Sequence, residues 1–322
     1  MTYTVVDLFC GGGGFSRGFT QAGFRVTHAV EVEKPHAEAH HLNFPEALTL
    51  NADIRQVASL DAAPDVLIGG PPCEAYTGAN AKRHPDPLGR LYEDPHGRLV
   101  LEYIRLLGQL KPRVFVMENV PGVADGPLAE ALRKEFAAAG FSHVWFNRLR
   151  AEDFGTPSRR ERMFVSNLPL GGKPQKRKIK VEEALEGLPP PGDALPNHEP
   201  LALTPEKQAK IARVPPGGSL YQYKSAGGRG LANWARLYLD QLAPPVMGRS
   251  RFIHPVENRP LTVRENARLM GFPDEHVFAG GRDSQFDQVG EAVPPPLACA
   301  IARDVLSFLD ATGARPRSAL QG

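Results

Sequence analysis

TVVDLFCGGGGF, residues 4–15, passes from a short β-branched apolar run into four consecutive glycines and then into a helix-like stretch that reaches Ala22. A strand, a glycine-rich turn and a helix in that order build the ligand-binding corner of a doubly wound α/β sheet, because glycine lets a ligand approach the backbone closely. The four glycines lack the GxGxxG spacing of dinucleotide binders, so the turn suits a smaller anion or polar group better than a pyrophosphate.

Further apolar runs at Val26 to Val30, Val66 to Ile68 and Val114 to Met117 are short, β-branched and bounded by turns or charges. They alternate with helical patterns. Leu99, Tyr103, Leu106, Leu107 and Leu110 share one helical face, which Lys111-Pro112 terminates. Pro127 opens a second helix, Leu128, Leu132 and Phe136 stripe it, and Gly140 is placed to close it. Strands on either side of that helix should be parallel and joined by a right-handed crossover. The alternation predicts a mostly parallel, doubly wound sheet with helices on both faces.

The 322 residues allow one large domain carrying a smaller one, and 42% hydrophobic with 23% charged composition is that of a folded soluble protein. No run approaches the roughly 18 consecutive apolar residues of a membrane span, and no leader-like segment opens the chain, so a cytoplasmic protein without membrane contact is expected. Cys10, Cys73 and Cys299 are too few and too scattered for a disulfide framework or a paired-cysteine metal site, and no metal is expected.

Organisation changes after about residue 170. Pro189 to Pro216 holds eight prolines in 28 residues and reads as loops and linkers. Residues 171–255 carry 13 Lys and Arg against 7 Asp and Glu, net +6, although the whole chain is only +2. Such asymmetry suits a segment lying on phosphates. Within it GKPQKRKIK, with Lys173, Lys176, Arg177, Lys178 and Lys180, is either a phosphate-contacting strip or a solvated face. Leu297, Ile301 and Leu309 recur at near-helical spacing, so a final helix should rejoin the main domain.

Two acidic residues follow the second and third segments. Glu31 lies 20 residues after Gly11, where this class of fold places a carboxylate on ribose hydroxyls. Asp53 either accepts from an adenine amino group while Ile54 packs on the ring, or is a turn aspartate.

The chemical centre begins where the strand Asp65 to Gly70 delivers GGPPCEAYTG, residues 69–78, to the carboxyl end of the sheet. Pro71 and Pro72 fix the backbone before Cys73, while VFVMENV, residues 114–120, brings Glu118 and Asn119 to its own carboxyl end. A thiol converging with a carboxyl group suits covalent catalysis. Carbon 5 of a pyrimidine becomes nucleophilic only after something adds at carbon 6, and a thiolate is the best side chain for that addition. The thiol needs a neighbouring positive charge or helix end to ionise. A glutamic acid kept protonated by burial can hydrogen-bond ring N3.

Six segments taken in order, DLFCGGGGF, GGPPC, MENVPG, TPSRRERMF, RPLTVRENARLMGFPD and QVGEAVPPPLACAIA, resemble the DNA (cytosine-5) methyltransferase family of restriction-modification systems. The resemblance reaches from residue 7 past 300. It implies an S-adenosylmethionine-dependent methyltransferase fold, Rossmann-like, with a catalytic and cofactor-binding domain at 1–170 and a smaller, irregular target recognition domain at 171–255. A hinge and motif at 256–287 and a segment at 288–322 then complete the large domain. It further implies that Cys73 attacks carbon 6, Glu118 holds N3, Arg162 meets the cytosine O2 and Arg160 lies nearer the thiol. Alternate strand positions put Arg160 and Arg162 on one side.

For S-adenosylmethionine the resemblance implies adenine against Phe9, Val32 and Ile54, ribose on Glu31, and Asp53 at the adenine amino group. The methionine end falls near Gly11, Gly13, Pro72 and Leu99, with Glu291 beside the cofactor. The stretch Glu74 to Pro95, with Gly78, Lys82, Arg83, Gly89 and Arg90, looks like the loop that closes over DNA once a cytosine is flipped out. Double-stranded DNA is the implied partner of a monomer, with a cognate restriction endonuclease encoded elsewhere. Arg229, Arg236, Arg249 and Arg251 are candidates for reading bases.

Departures from the family pattern are Glu74 for glutamine, Tyr76 and Thr77 for phenylalanine and serine, Ser158 for glutamine, and Glu291 for asparagine. Alternative readings are a transfer-RNA cytosine methyltransferase, whose Cys-Phe-Thr signature is absent here, and a catalytically inactive DNA-binding homologue, against which stand the intact Cys73, Glu118 and Arg162.

Overall fold

A computed structural model describes residues 2–192, 194–224, 228, 230–248, 251–313 and 317. β1 (Thr4–Leu8) leads through α1 (Gly14–Gln21) to β2 (Arg25–Glu31), and α2 (Lys34–Asn43) leads to β3 (Leu48–Asn51). β4 (Val66–Gly69), α3 (Pro87–Tyr92), α4 (Leu99–Leu110), β5 (Val114–Asn119), α5 (Pro127–Ala138), β6 (Trp145–Arg150) and β7 (Glu161–Ser166) follow. The strands form one seven-stranded sheet in the order β3-β2-β1-β4-β5-β7-β6. The first five are parallel, and β7 is antiparallel to both neighbours.

β6 therefore runs in the direction of β5, as the intervening helix requires, but β7 lies between them. The crossover through α5 leaves room for one strand, and the short return from β6 can fill it only with an antiparallel neighbour.

Every residue of β1 is buried, and period-2 alternation splits them between two cores. Val5 packs with the aromatic side of α1, whereas Val6 and Leu8 pack with Tyr103, Leu106 and Leu107 of α4. Lys111, with φ 44°, ends α4 in the left-handed conformation, and Gly140, with φ 99°, follows α5.

α6 (Val181–Leu185), α7 (Pro205–Ala212), β8 (Ser219–Lys224), β9 (Gly230–Arg236) and β10 (Phe252–Ile253) build a smaller lobe with its own three-stranded sheet. The proline-rich stretch is not all loop. Thr204 caps α7 by accepting from the Lys207 amide, Pro205 occupies the helix start where its missing N–H costs nothing, and Pro215 and Pro216 fall beyond the end. A third apolar cluster joins Ala235, Leu237 and Phe252 of this lobe to α8 (Val263–Leu269) and to Phe286 and Val289 of α9 (Arg282–Glu291). Thr262 and Glu265 cap α8 reciprocally.

α10 (Pro295–Ala311) returns to the large sheet and packs on α1. A Cβ at Gly18 would lie 2.3 Å from the Ala298 Cβ, so glycine there is what lets the two helices touch. By length and composition Arg282–Ala311 could cross a membrane, but 56% of its apolar window is buried inside the protein, as in a core helix.

Candidate active site

The carboxyl ends of β4 and β5 lie side by side, and both catalytic candidates stand there. Cys73 follows β4 through Gly70-Pro71-Pro72, and its carbonyl accepts the amides of Tyr76 (3.0 Å) and Thr77 (2.9 Å). Asn119 Nδ2, at the end of β5, donates to the Pro71 carbonyl at 3.0 Å and ties the proline turn to the neighbouring strand. A Cβ at Gly70 would sit 3.3 Å from Glu118 Oε2, so the Glu118 carboxyl lies directly against the turn that carries the thiol.

Antiparallel β7 brings Arg162 to the same place, and its Nε lies 2.9 Å from Glu118 Oε1. Cys73 is half-buried, and burial first, then the Glu118 carboxylate, push its thiol up to about 11 against the pull of Arg162. The expected positive neighbours are present but do not prevail in the free protein.

Arg160, whose charge also acts on Cys73, is held by the backbone around it. Its guanidinium is buried and donates to the carbonyls of Val246 (3.2 Å), Gly290 (2.8 Å) and Glu291 (3.2 Å), while its Nε finds no partner among the described residues. Desolvation, then Arg162, lowers it to about 9. Arg160 thereby clasps the end of α9 and the segment at Val246 to the residue just before β7. At this clasp a Cβ on Gly290 would fall 2.0 Å from the Gly248 nitrogen, so the contact is backbone on backbone.

The nucleoside candidates gather at the ends of β1 and β2. Glu31 is buried, accepting from the amides of Gly11 (2.9 Å) and Glu33 (2.9 Å). Gly11, at φ 51°, has open space where a side chain would stand, and Gly13 has φ 87°. Phe9 holds φ 59°, a strained value for a non-glycine residue and common where a backbone serves a ligand. Phe9 and Leu99 border the apolar cluster that buries Ile54, and Pro72 is half-buried nearby in sequence to the thiol. Val32 leaves 57% of its surface exposed next to Glu31.

Asp53 is a turn residue: it accepts from the Arg55 amide at 3.0 Å and pairs with the Arg55 side chain.

Three residues escaped the sequence reading. His276 is buried, donates Nε2–H to the Gly12 carbonyl at 2.8 Å and accepts Arg17 Nε at 3.2 Å on Nδ1, which fixes its neutral tautomer. Burial pushes it down to about 3. Ser16 donates to Asp7 at 2.6 Å and stands 3.1 Å from His40, also held near 3 by burial. Only the position of His276 just after GFPD hinted at this support of the glycine turn.

Charges outside the site are more engaged than their spacing suggested. Arg236 is no base reader: it is buried and donates to the carbonyls of Ile211, Val214, His254 and Glu257. Arg251 is tied to Gly248 and Asp283 and lies over Phe286. Arg229 and Arg249 fall outside the described residues. In the basic strip Arg177, Lys178 and Lys180 pair with Glu183, Asp153 and Glu182, which leaves Lys173 and Lys176 exposed without an ion-pair partner among the described residues.

The protein is thus a doubly wound α/β enzyme fold that sets a cysteine, a glutamate and an arginine together at its strand ends, beside a glycine-rich corner. Residues 3–184 and 206–307 match the model of the C-5 cytosine-specific DNA methylase family. M.MJ0563P of Methanocaldococcus jannaschii is 45% identical over 94% of this chain and 98% of its own length. The type II methyltransferase M1.HphI of Haemophilus parahaemolyticus is 33% identical over 96% and 88%. Among solved structures, an Escherichia coli prophage-encoded protein assigned as a DNA modification methyltransferase superposes with a TM-score of 0.78 at 25% identity, covering 96% of this chain and 100% of that one. The chain belongs to the C-5 cytosine-specific DNA methylase family, and it is a DNA (cytosine-5-)-methyltransferase.

Proposed function

We propose that the protein moves a methyl group from S-adenosylmethionine to carbon 5 of a cytosine flipped out of a specific double-stranded DNA sequence, through a covalent adduct on Cys73. The observation that carries this reading is the meeting of Cys73, Glu118 and Arg162 at the ends of β4, β5 and β7. Cys73, once its proton has left, adds to carbon 6 of the cytosine. Glu118, once it has taken up a proton, donates to N3 and Arg162 donates to the O2, so charge pushed into the ring meets a hydrogen-bond donor at each point. Loss of the carbon 5 proton then breaks the carbon–sulfur bond and returns the thiolate.

The residues present fit the cofactor: open space at Gly11, an anchored carboxylate at Glu31 with lone pairs left for ribose hydroxyls, and exposed Val32 beside it. Phe9, Val32 and Ile54 would hold the adenine, Glu31 the ribose, and Gly11, Gly13, Pro72 and Leu99 the methionine end. When bound, the cofactor supplies an electrophilic methyl group.

The smaller lobe, 171–255, is the target recognition region in this reading, and a cognate endonuclease fits the type II naming of a relative. A duplex with 5-fluorocytosine at the target, incubated with cofactor, should leave a denaturation-resistant complex with the protein, because fluorine cannot depart as a proton would. Cys73→Ala should abolish it. Active enzyme without a trapped adduct would exclude the thiol route.

A further inference from the structure

Asp7 shares its face of β1 with Val5, the face covered by α1, and is buried there. Its Oδ2 accepts the Ser16 hydroxyl at 2.6 Å, and its Oδ1 has no hydrogen-bond partner among the described residues. Ser16 Oγ stands 3.1 Å from His40 Nε2, and His40 Nδ1 stands 2.9 Å from Thr49 Oγ1. Ser16 and His40 are fully enclosed, whereas Thr49, on the edge strand β3, is partly open to solvent. Four side chains from β1, α1, α2 and β3 thus form one line from a buried carboxyl to the surface.

The number of protons fixes the direction of this line. A serine has one proton to donate, so while Asp7 is ionised and takes it, His40 must donate Nε2–H to Ser16 and accept the Thr49 hydroxyl on Nδ1. When Asp7 carries a proton on Oδ2, the oxygen that has a partner, it donates to Ser16, Ser16 donates to His40 Nε2, and Nδ1–H is donated to Thr49. One shift of every proton converts the first arrangement into the second. A proton from solvent joins the Thr49 oxygen as its own passes to Nδ1, the Nε2 proton passes to Ser16, and the Ser16 proton passes to Asp7. The imidazole is neutral before and after, with its proton on the other nitrogen.

We propose that Thr49, His40 and Ser16 relay protons between solvent and the buried Asp7 carboxyl, and that each passage exchanges the tautomer of His40 beneath the glycine turn. The contact with the turn is direct, since a Cβ at Gly13 would lie 3.4 Å from His40 Cδ2. Burial, opposed by the Ser16 hydrogen bond and reinforced by Glu31, raises Asp7 to about 7, so the exchange falls in the neutral range. Burial also pushes His40 down to about 3, so the ring passes the proton on without keeping a charge. The other titratable groups facing the line are Glu31 at the end of β2, Cys10 in the turn, Tyr103 on α4, His41 on α2 and His276 ahead of α9. Arg17 on α1 reaches His276 and Asn43, and β3 carries no titratable residue. No ligand enters the relay, so it stands apart from the cofactor reading above.

The test is nuclear magnetic resonance of the intact free protein carrying nitrogen-labelled histidine, with His40 assigned by comparison with His40→Gln. In wild type the ratio of the Nε2–H to the Nδ1–H tautomer of His40 should rise about tenfold per pH unit across the neutral range, with no imidazolium signal. Asp7→Asn removes the titrating group and Ser16→Ala cuts the line, so in each the ratio should no longer depend on pH. If those variants do not fold, Thr49→Val replaces them: it leaves the Nδ1 proton without an acceptor, and His40 should keep Nε2–H throughout. A single wild-type tautomer from pH 6 to pH 8 overturns the proposal, as does an imidazolium that appears in step with Asp7 or a tautomer exchange that survives in Ser16→Ala or Thr49→Val.

Discussion

A thiol pushed up to about 11 is almost wholly protonated at neutral pH, so free Cys73 should be a sluggish nucleophile. Iodoacetamide labelling of the free enzyme, followed by peptide mass, should rise about tenfold per pH unit from pH 7 towards 10, because only the thiolate reacts. Cys10 and Cys299 are buried and should stay unlabelled. A rate flat between pH 7 and 9 would mean that the thiol is already ionised without substrate. Cys73, Glu118 and Arg162 were legible in the chain because each sits in a motif whose neighbours fix its direction: prolines before the cysteine, a strand before the glutamate. Arg160, Arg236 and Arg251 were not. Their partners are mostly backbone carbonyls from distant segments, and a carbonyl carries no signature in the sequence. Asp53 was left between two roles, and the structure shows that of the turn, with Arg55 as its partner.

At the scale of elements, the loop after Cys73 is latched. Tyr76 is fully buried and its hydroxyl donates to the Gly97 carbonyl at 2.8 Å, tying the start of the loop to its end. Arg83 reaches the Tyr76 carbonyl, and buried Arg90 donates to the carbonyls of His84 and Pro85. This gives a physical use to a tyrosine where the family pattern has phenylalanine. Tyr76→Phe strands a buried carbonyl, at a cost of about 1–3 kcal/mol. Amide hydrogen exchange across 74–97 should quicken by about one to two orders of magnitude while the sheet is unchanged, and equal protection would show that the latch contributes nothing. β1, β2, β4 and β5, both long helices and α10 could be read from periodicity alone. The place of β7 could not, since pairing order depends on where the chain returns, and α7 was hidden by the prolines that bound it.

Over the whole molecule, His276 and His40 join distant segments, and both are held neutral near 3. With an ordinary unfolded value of about 6.5, each favours the unfolded chain as protons are added. Their stabilisation is complete above 6.5 and is lost as pH falls towards 3, by up to about 1.4 kcal/mol per pH unit for each. Asp7, raised to about 7 by burial, acts in the opposite sense between 7 and about 4, because its folded form takes up the proton first. Urea unfolding of His276→Gln at pH 7 to 4 should therefore show a protein weaker at pH 7 that loses about 1.4 kcal/mol less per pH unit than wild type. Parallel curves would remove His276 from the account. Composition and charge marked the smaller lobe, but its three-stranded sheet was beyond them. The seam where Gly290 rests on Gly248 has a mutational corollary: a Cβ on residue 290 would run into the main chain opposite, so even an alanine there must prise the two segments apart.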